Sequence, residues 1–301
     1  MIRTLILSCL VSLCLSAVRA EEAGHDFLRF VEDNQGASLQ TAVVTYKSKA
    51  GVSVDLVGAI HLADKGYYQE LNKRFTQYDS VLYELVGGPV PKDTGKDMAK
   101  REMDPRLAWL GQMQTLMRDT LKLTGQLEGV DYHAKNFVHA DMSTDEFYEA
   151  KEQKNESFLG LLVKAWKVQF SLDDAKASGE PGLVKLMEIL CRKDSSDELK
   201  RLVGREFASM EALITGIESD GGTVIVGQRN RVALEVLDRE VARGKRKIAI
   251  FYGAAHLPDM QGKLEGRGYT REKTEWLKAW NLPPEPKPEA VSKPKSSPVT
   301  P

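Results

Sequence analysis

Ile250-Phe251-Tyr252-Gly253-Ala254-Ala255-His256-Leu257-Pro258-Asp259 decides the fold, because a continuous apolar run ends in a glycine and a histidine follows three residues on. A run of that kind is a strand covered on both faces. Far upstream, Gly58-Ala59-Ile60-His61-Leu62-Ala63-Asp64 matches Gly253–Asp259 at every place but two, and it too follows a strand pattern and precedes a helical one. Two such copies in equivalent settings predict an internal duplication. Open α/β sheets hold their ligands at the carboxyl ends of the strands, so both histidines are expected at one crevice.

Working outward from the first copy, Thr41 to Tyr46 reads as a strand, Lys47 to Gly51 as a turn, and Val52, Val54 and Leu56 alternate with Ser53 and Asp55 as in a half-buried strand. After His61, the residues Tyr68, Leu71, Phe75 and Tyr78 share one helical face, with Asp64 as the expected N-cap. Val81 to Val86 is a further short strand, closed by Gly87-Gly88-Pro89. Working outward from the second copy, Thr223 to Val226 is an apolar β-branched run read as a strand, and Asn230 to Arg243 is a helix stopped by Gly244. Ile248 to Tyr252 then enters Gly253, and Asp259 is read as another N-cap. Between the halves, from about 96 to 217, the signals are mainly helical, and Leu199, Leu202, Phe207, Met210, Leu213 and Ile217 form the clearest amphipathic stripe. The expected fold is mixed α/β (α+β): a mixed central sheet from two duplicated strand–Gly-x-x-His–helix halves, with a largely helical insertion between them.

The ends bound the domain. Residues 1–20 combine Arg3, an apolar run from Leu5 to Val18 and a small Ala20, the pattern of a cleaved signal peptide. The mature chain is therefore expected outside the cytoplasm, in the periplasm or extracellular space, with no later apolar stretch long enough to span a membrane. Leader removal takes Cys9 and Cys14, leaving Cys191 without an internal disulfide partner. It also takes Arg3 and Arg19, so 42 basic residues against 43 acidic become a small negative excess, which argues against nucleic acid as a partner. Residues 282–301 are rich in Pro, Lys and Ser and are read as a disordered tail, which leaves 21–281 as the folded domain.

The chemistry is expected at the strand ends. A glycine allows a sharp turn or a close backbone approach, as read for Gly58 and Gly253. His61 and His256 then supply ligands or acid–base groups. Glu84 lies inside an apolar strand, where a buried carboxylate needs a partner, unless strand alternation turns it to solvent. Arg229 follows the Thr223–Val226 run and so reaches the same edge, unless it is an ordinary surface residue at a helix start. In Asp131–Asp141, His133 is read as solvent-exposed, and His139 and Asp141 as loop residues satisfying backbone groups.

The two Gly-x-x-His motifs, the strand Glu84 and Gln228-Arg229-Asn230-Arg231 leading into a helix resemble the TraB/PrgY, GumN and Tiki family, within the erythromycin-esterase/ChaN-like superfamily. The resemblance covers most of residues 40–275. It implies a site centred on His61, Glu84 and His256, with Arg229 and Asn230 beside it. Residues Asn136 to Asp141 resemble a stretch of secreted bacterial members, which brings His139 and Asp141 towards the site. Tiki relatives are described as divalent-metal-dependent proteases, esterase-like relatives as His/Glu hydrolases, and ChaN-like relatives as haem binders. The leading expectation is a metal-dependent, peptidase-like hydrolase in which His61, Glu84 and His256 hold one divalent ion, Mn, Co, Zn or Fe, for a peptide or small-molecule substrate. The alternatives are a metal-free His/Glu esterase-like hydrolase, and a non-enzymatic peptide- or haem-binding protein. The oligomeric state is not legible in the sequence.

Overall fold

The computed structural model describes residues 27–90, 108–153, 196–205 and 224–284. The leader, the tail beyond 284, Cys191 and the stripe positions from Phe207 to Ile217 lie outside the described residues. The fold is mixed α/β, organised around a seven-stranded mixed sheet. Among the described residues no helix is long and apolar enough to cross a membrane.

Three strands open the chain: β1 (Leu28–Asp33), β2 (Gly36–Ser48) and β3 (Ser53–Ala59). The β2–β3 hairpin forms as its pattern predicts, with Val43 opposite Val57 and Lys47 opposite Ser53. Strand β2 is long enough to serve three partners. A final strand, β9 (Tyr269–Leu282), runs antiparallel along one edge of β2, and β1 and β3 share the other edge. Beyond β3 come β8 (Lys247–Gly253), β5 (Ser80–Tyr83) and β7 (Phe137–His139), each parallel to its neighbour. Strand β3 is thus central, and Val54 to Ala59 is buried throughout rather than on alternate residues. Asp55, expected on a wet face, is buried and accepts a 2.6 Å hydrogen bond from the Tyr78 hydroxyl.

Several sequence expectations are corrected. Val224–Gln228 is a π-helical turn running straight into a helix at Arg229–Ala242, not a strand. Local β-propensity favours a strand for Val-Ile-Val. However, Val226 falls in step with buried Asn230, Ala233, Leu234 and Leu237, so it continues the buried stripe of that helix. The helix stops where expected, with Gly244 at φ +89°. The described part of the 96–217 region is largely helical, as expected. It carries helices α2 (Ala108–Leu121), α3 (Gln126–Gly129) and α4 (Thr144–Gln153) and a helical segment at 196–205, and it also supplies β7, an edge strand of the main sheet. Tyr269–Leu282 carries no strand pattern yet forms β9, and Leu282, expected to start the tail, is buried opposite Ala37.

Helix α1 (Lys65–Phe75) buries Tyr67, Tyr68, Leu71 and Phe75, close to its predicted face. Asp64 occupies its N-cap place without a capping side-chain bond. Its carboxylate instead accepts from the Asn281 backbone N–H of β9. The last helix, Leu257–Gly266, begins immediately after His256. Asp259 therefore lies in its first turn and is not the cap.

Candidate functional site

Four parallel strands end on one edge of the sheet: β3 at Ala59, β8 at Gly253, β5 at Tyr83 and β7 at His139. Each is followed within two or three residues by a side chain of interest: His61, His256, Glu84 and Asp141. Strands β3 and β8 are immediate neighbours, with Ala59 opposite Gly253. The motif glycines are therefore offset by one in register, since Gly58 faces Tyr252. The backbone after them also differs. Ile60 and His61 lead into β4 (Leu62–Ala63), which pairs with β6 (Thr124–Gly125), whereas Ala254–His256 is a 3-10 turn feeding the last helix.

Glu84 is the first residue beyond β5 rather than inside it, and its side chain is 14% exposed. Oε1 accepts a 2.6 Å bond from Nη2 of Arg229, and Oε2 accepts 2.6 Å from the Gly253 backbone N–H. That second bond gives Gly253 its purpose. Its φ is −48°, so no left-handed turn is involved, but a Cβ there would stand 3.3 Å from Glu84 Oε2. The carboxylate thereby clamps β5 to β8.

Arg229, the first residue of its helix, is buried, and its guanidinium forks onto Asp141: Nε to Oδ1 at 2.9 Å and Nη2 to Oδ2 at 2.6 Å. Such planar two-point pairing suits Arg and a carboxylate. One cation thus serves two carboxylates, Glu84 and a fully buried Asp141. Burial would lower the Arg229 pKa, but the two carboxylates outweigh it and raise it. Burial likewise works to raise the Glu84 pKa, and Arg229, His256, the Gly253 N–H and His61 together hold it far below the usual carboxylate range.

His256 is buried, with its Nδ1 2.7 Å from Oδ1 of Asn230. The Asn230 Nδ2 donates to the His256 carbonyl at 2.9 Å and to Asp259 Oδ2 at 2.7 Å. Oδ1 is therefore the acceptor, Nδ1 of the ring carries the proton, and Nε2 is left as an acceptor, with one long bond from the Arg229 guanidinium. Nε2 stands 3.5 Å from Arg229 Nη1 and 3.5 Å from Glu84 Oε1. Burial, with Arg229 adding to it and Glu84 opposing it, lowers the His256 pKa to about 4, so the ring is neutral at pH 7.

The remaining expected residues divide. His61 stands exposed at the rim, close enough to influence Glu84 electrostatically but outside the hydrogen-bonded cluster. His139 is occupied by the Leu85 carbonyl at 2.8 Å and packs edge-on against Tyr83. Asp141, read as a loop residue satisfying backbone groups, belongs to the cluster through Arg229. The only signal for it was its place in the Asn136–Asp141 stretch. His133, read as exposed, is half-buried with Nε2 shut off from solvent.

The concavities found among the described residues do not coincide with this chemistry. A cavity of about 270 Å³ bordered by Ser53, Asp55, Tyr78 and Lys247 lies at the amino ends of β3 and β8, the opposite edge. The strand-end cluster is the stronger candidate, because buried ionisable groups with strongly shifted pKa values concentrate there. Among the described residues no three His, Cys, Asp or Glu side chains stand so as to hold a metal ion together. The guanidinium of Arg229 already faces both Nε2 of His256 and Oε1 of Glu84. Comparison of the chain with protein-family models, curated proteins and solved structures finds no match.

Proposed function

We propose that this chain is an exported hydrolase, of the TraB/PrgY, GumN and Tiki type suggested by its motifs, that cleaves carboxylic esters with a water activated by His256. The observation that carries this reading is the unprotonated Nε2 of a buried, neutral imidazole, held only by a long 3.5 Å bond from Arg229 and 3.5 Å from a Glu84 carboxylate oxygen. A water lodged between Nε2 and Glu84 Oε1 donates one hydrogen to each and turns a lone pair to the substrate carbonyl. As its oxygen bonds to the carbonyl carbon, a proton passes to Nε2, and the imidazolium is stabilised by Glu84. Arg229 Nη1 bonds neither carboxylate, and it turns from its long contact with Nε2 to meet the oxyanion. The ester C–O bond then breaks, and the His256 imidazolium returns its proton to the leaving alkoxide, which restores the neutral ring. A ring of such low basicity suits an ester better than an amide, whose leaving group is poorer.

The test is hydrolysis of a panel of nitrophenyl and alkyl esters by chelator-treated mature protein. Turnover should persist after chelation and fall by about 10²–10⁴-fold in His256→Gln. No ester turnover at all, or an unaffected variant, would sink the reading.

One observation favours a second reading, a divalent-metal-dependent peptidase. The 3.5 Å between His256 Nε2 and Glu84 Oε1 is close to the roughly 3.4 Å separating two ligands ~2.1 Å from a tetrahedral ion. His61 would complete the set, and Mn, Co, Zn or Fe would supply Lewis-acid polarisation. Arg229 weighs against it, because a divalent ion would have to sit beside a buried guanidinium. Peptide cleavage abolished by chelation and restored by one of these ions would decide for this reading.

A further inference from the structure

We propose that Asp259 is a positioning residue that, through Asn230, determines which ring nitrogen of His256 carries the proton. A side-chain amide has two nearly isosteric orientations, and the imidazole could answer either one by moving its own proton. On the Nε2 side a donor, Arg229 Nη1, and an acceptor, Glu84 Oε1, stand at the same 3.5 Å and oppose one another, so the choice is made on the far side of the amide. There Asn230 Nδ2 faces two acceptors, the His256 carbonyl at 2.9 Å and Asp259 Oδ2 at 2.7 Å. Turning the amide over would set Oδ1 against both, one of them a carboxylate. Asp259 is itself held by Lys263 one helical turn on, whose ammonium bonds Oδ1 and leaves Oδ2 for Asn230. Donation converges on Asp259: Lys263 donates to Oδ1 and Asn230 Nδ2 to Oδ2, which leaves Asn230 Oδ1 to accept from His256, with a proton on Nδ1 and none on Nε2.

This polarity predicts an inversion. In Asp259→Asn the shape is kept, but the Lys263 ammonium can only donate, so it draws the new amide oxygen and turns the new NH₂ towards Asn230. Asn230 then favours the flipped orientation, and His256 takes its proton on Nε2. In Asp259→Asn combined with Lys263→Met, the residue-259 amide is free to present its oxygen again, and the original tautomer should return.

The proposal concerns the orientation of the ring that the hydrolase reading uses, but its readout does not depend on turnover. Ring ¹⁵N NMR of the histidine-labelled mature protein at neutral pH reports each nitrogen of His256. The Nε2-protonated population should rise at least roughly tenfold in Asp259→Asn, the scale of one charge-assisted hydrogen bond, and fall back in the double variant. If Asp259→Asn does not fold, Asp259→Ala should give a mixture of tautomers by removing one acceptor. An unchanged Nδ1–H tautomer in the folded single variant, or no recovery in the double variant, overturns the proposal. Inversion in a protein that hydrolyses no ester would instead remove the hydrolase reading and leave this one standing.

Discussion

At the scale of single residues, Arg229 is the hinge of the site, because one buried cation is divided between Glu84 and Asp141. Removing it leaves two carboxylates close together without compensation. Arg229→Met should therefore lower unfolding stability by about 3–5 kcal/mol in urea titration. Adding Asp141→Leu to Arg229→Met should give back part of that loss, whereas strict additivity of the two would mean that the pair is not coupled. Acid should act through the same cluster. His256 has its folded pKa depressed from 6.5 to about 4, so its contribution is intact above about pH 6.5 and is lost as pH falls towards 4. On linkage arithmetic that contribution is on the order of 3 kcal/mol. Glu84, also depressed, adds a further loss at lower pH. The thermal midpoint should hold near neutrality and decline between pH 6.5 and 4, and His256→Gln should flatten that interval. An acid limb unchanged in the variant would assign it elsewhere. Glu84 was legible because a charge in an apolar run demands a partner, and Arg229 only through its place after an apolar run that proves helical rather than a strand. Asp141 was not, because nothing local distinguishes a carboxylate that forks onto a distant guanidinium from one that satisfies a loop.

At the scale of elements, β9 shows how far non-local pairing outweighs local pattern. Its charged first half, Arg271 to Glu275, offers no strand periodicity, yet the strand is secured by antiparallel pairing with β2 over Ala37–Ser48. At its far end Trp280 is fully buried and donates Nε1–H to the Leu62 carbonyl at 2.7 Å, tying β9 to the residue after His61. Trp280→Ala should cost about 3–5 kcal/mol in chemical denaturation. A chain ended after Pro284 should keep the full-length thermal midpoint, while one ended after Lys278 should not fold. A Trp280→Ala variant of normal stability would show that β9 is dispensable. The opposite failure of local reading occurs at Val224–Gln228, where a β-branched run is helical because Val226 extends a buried helical stripe. The hairpin, helix α1 and β8 were legible because in each of them local propensity and tertiary burial agree.

At the scale of the whole molecule, the site has no element of its own. It joins the first residues beyond four parallel strands to Arg229 and Asn230 at a helix start, and the strand residues meet because the sheet orders those strands β3, β8, β5, β7 although the chain makes β8 last among them. The sequence could place two histidines at strand ends, but neighbouring strands are chosen by long-range packing, which leaves no local mark. The Glu84 carboxylate, bonded to Gly253 N–H on one side and Arg229 on the other, makes the closure of β5 onto β8 part of both the site and the core. Opening the site should therefore require parting the central strands, which is global unfolding. Ester turnover, far-UV circular dichroism and tryptophan fluorescence should then be lost over one urea range with one midpoint, as for a two-state domain. If activity disappears at clearly lower urea while both spectroscopic signals stay native, the site opens on a smaller cooperative unit than the sheet. In that case the rim segment between Ile60 and Ala63, which carries His61 and whose strand pairing is with Thr124–Gly125 outside the main sheet, is the part of the edge to examine.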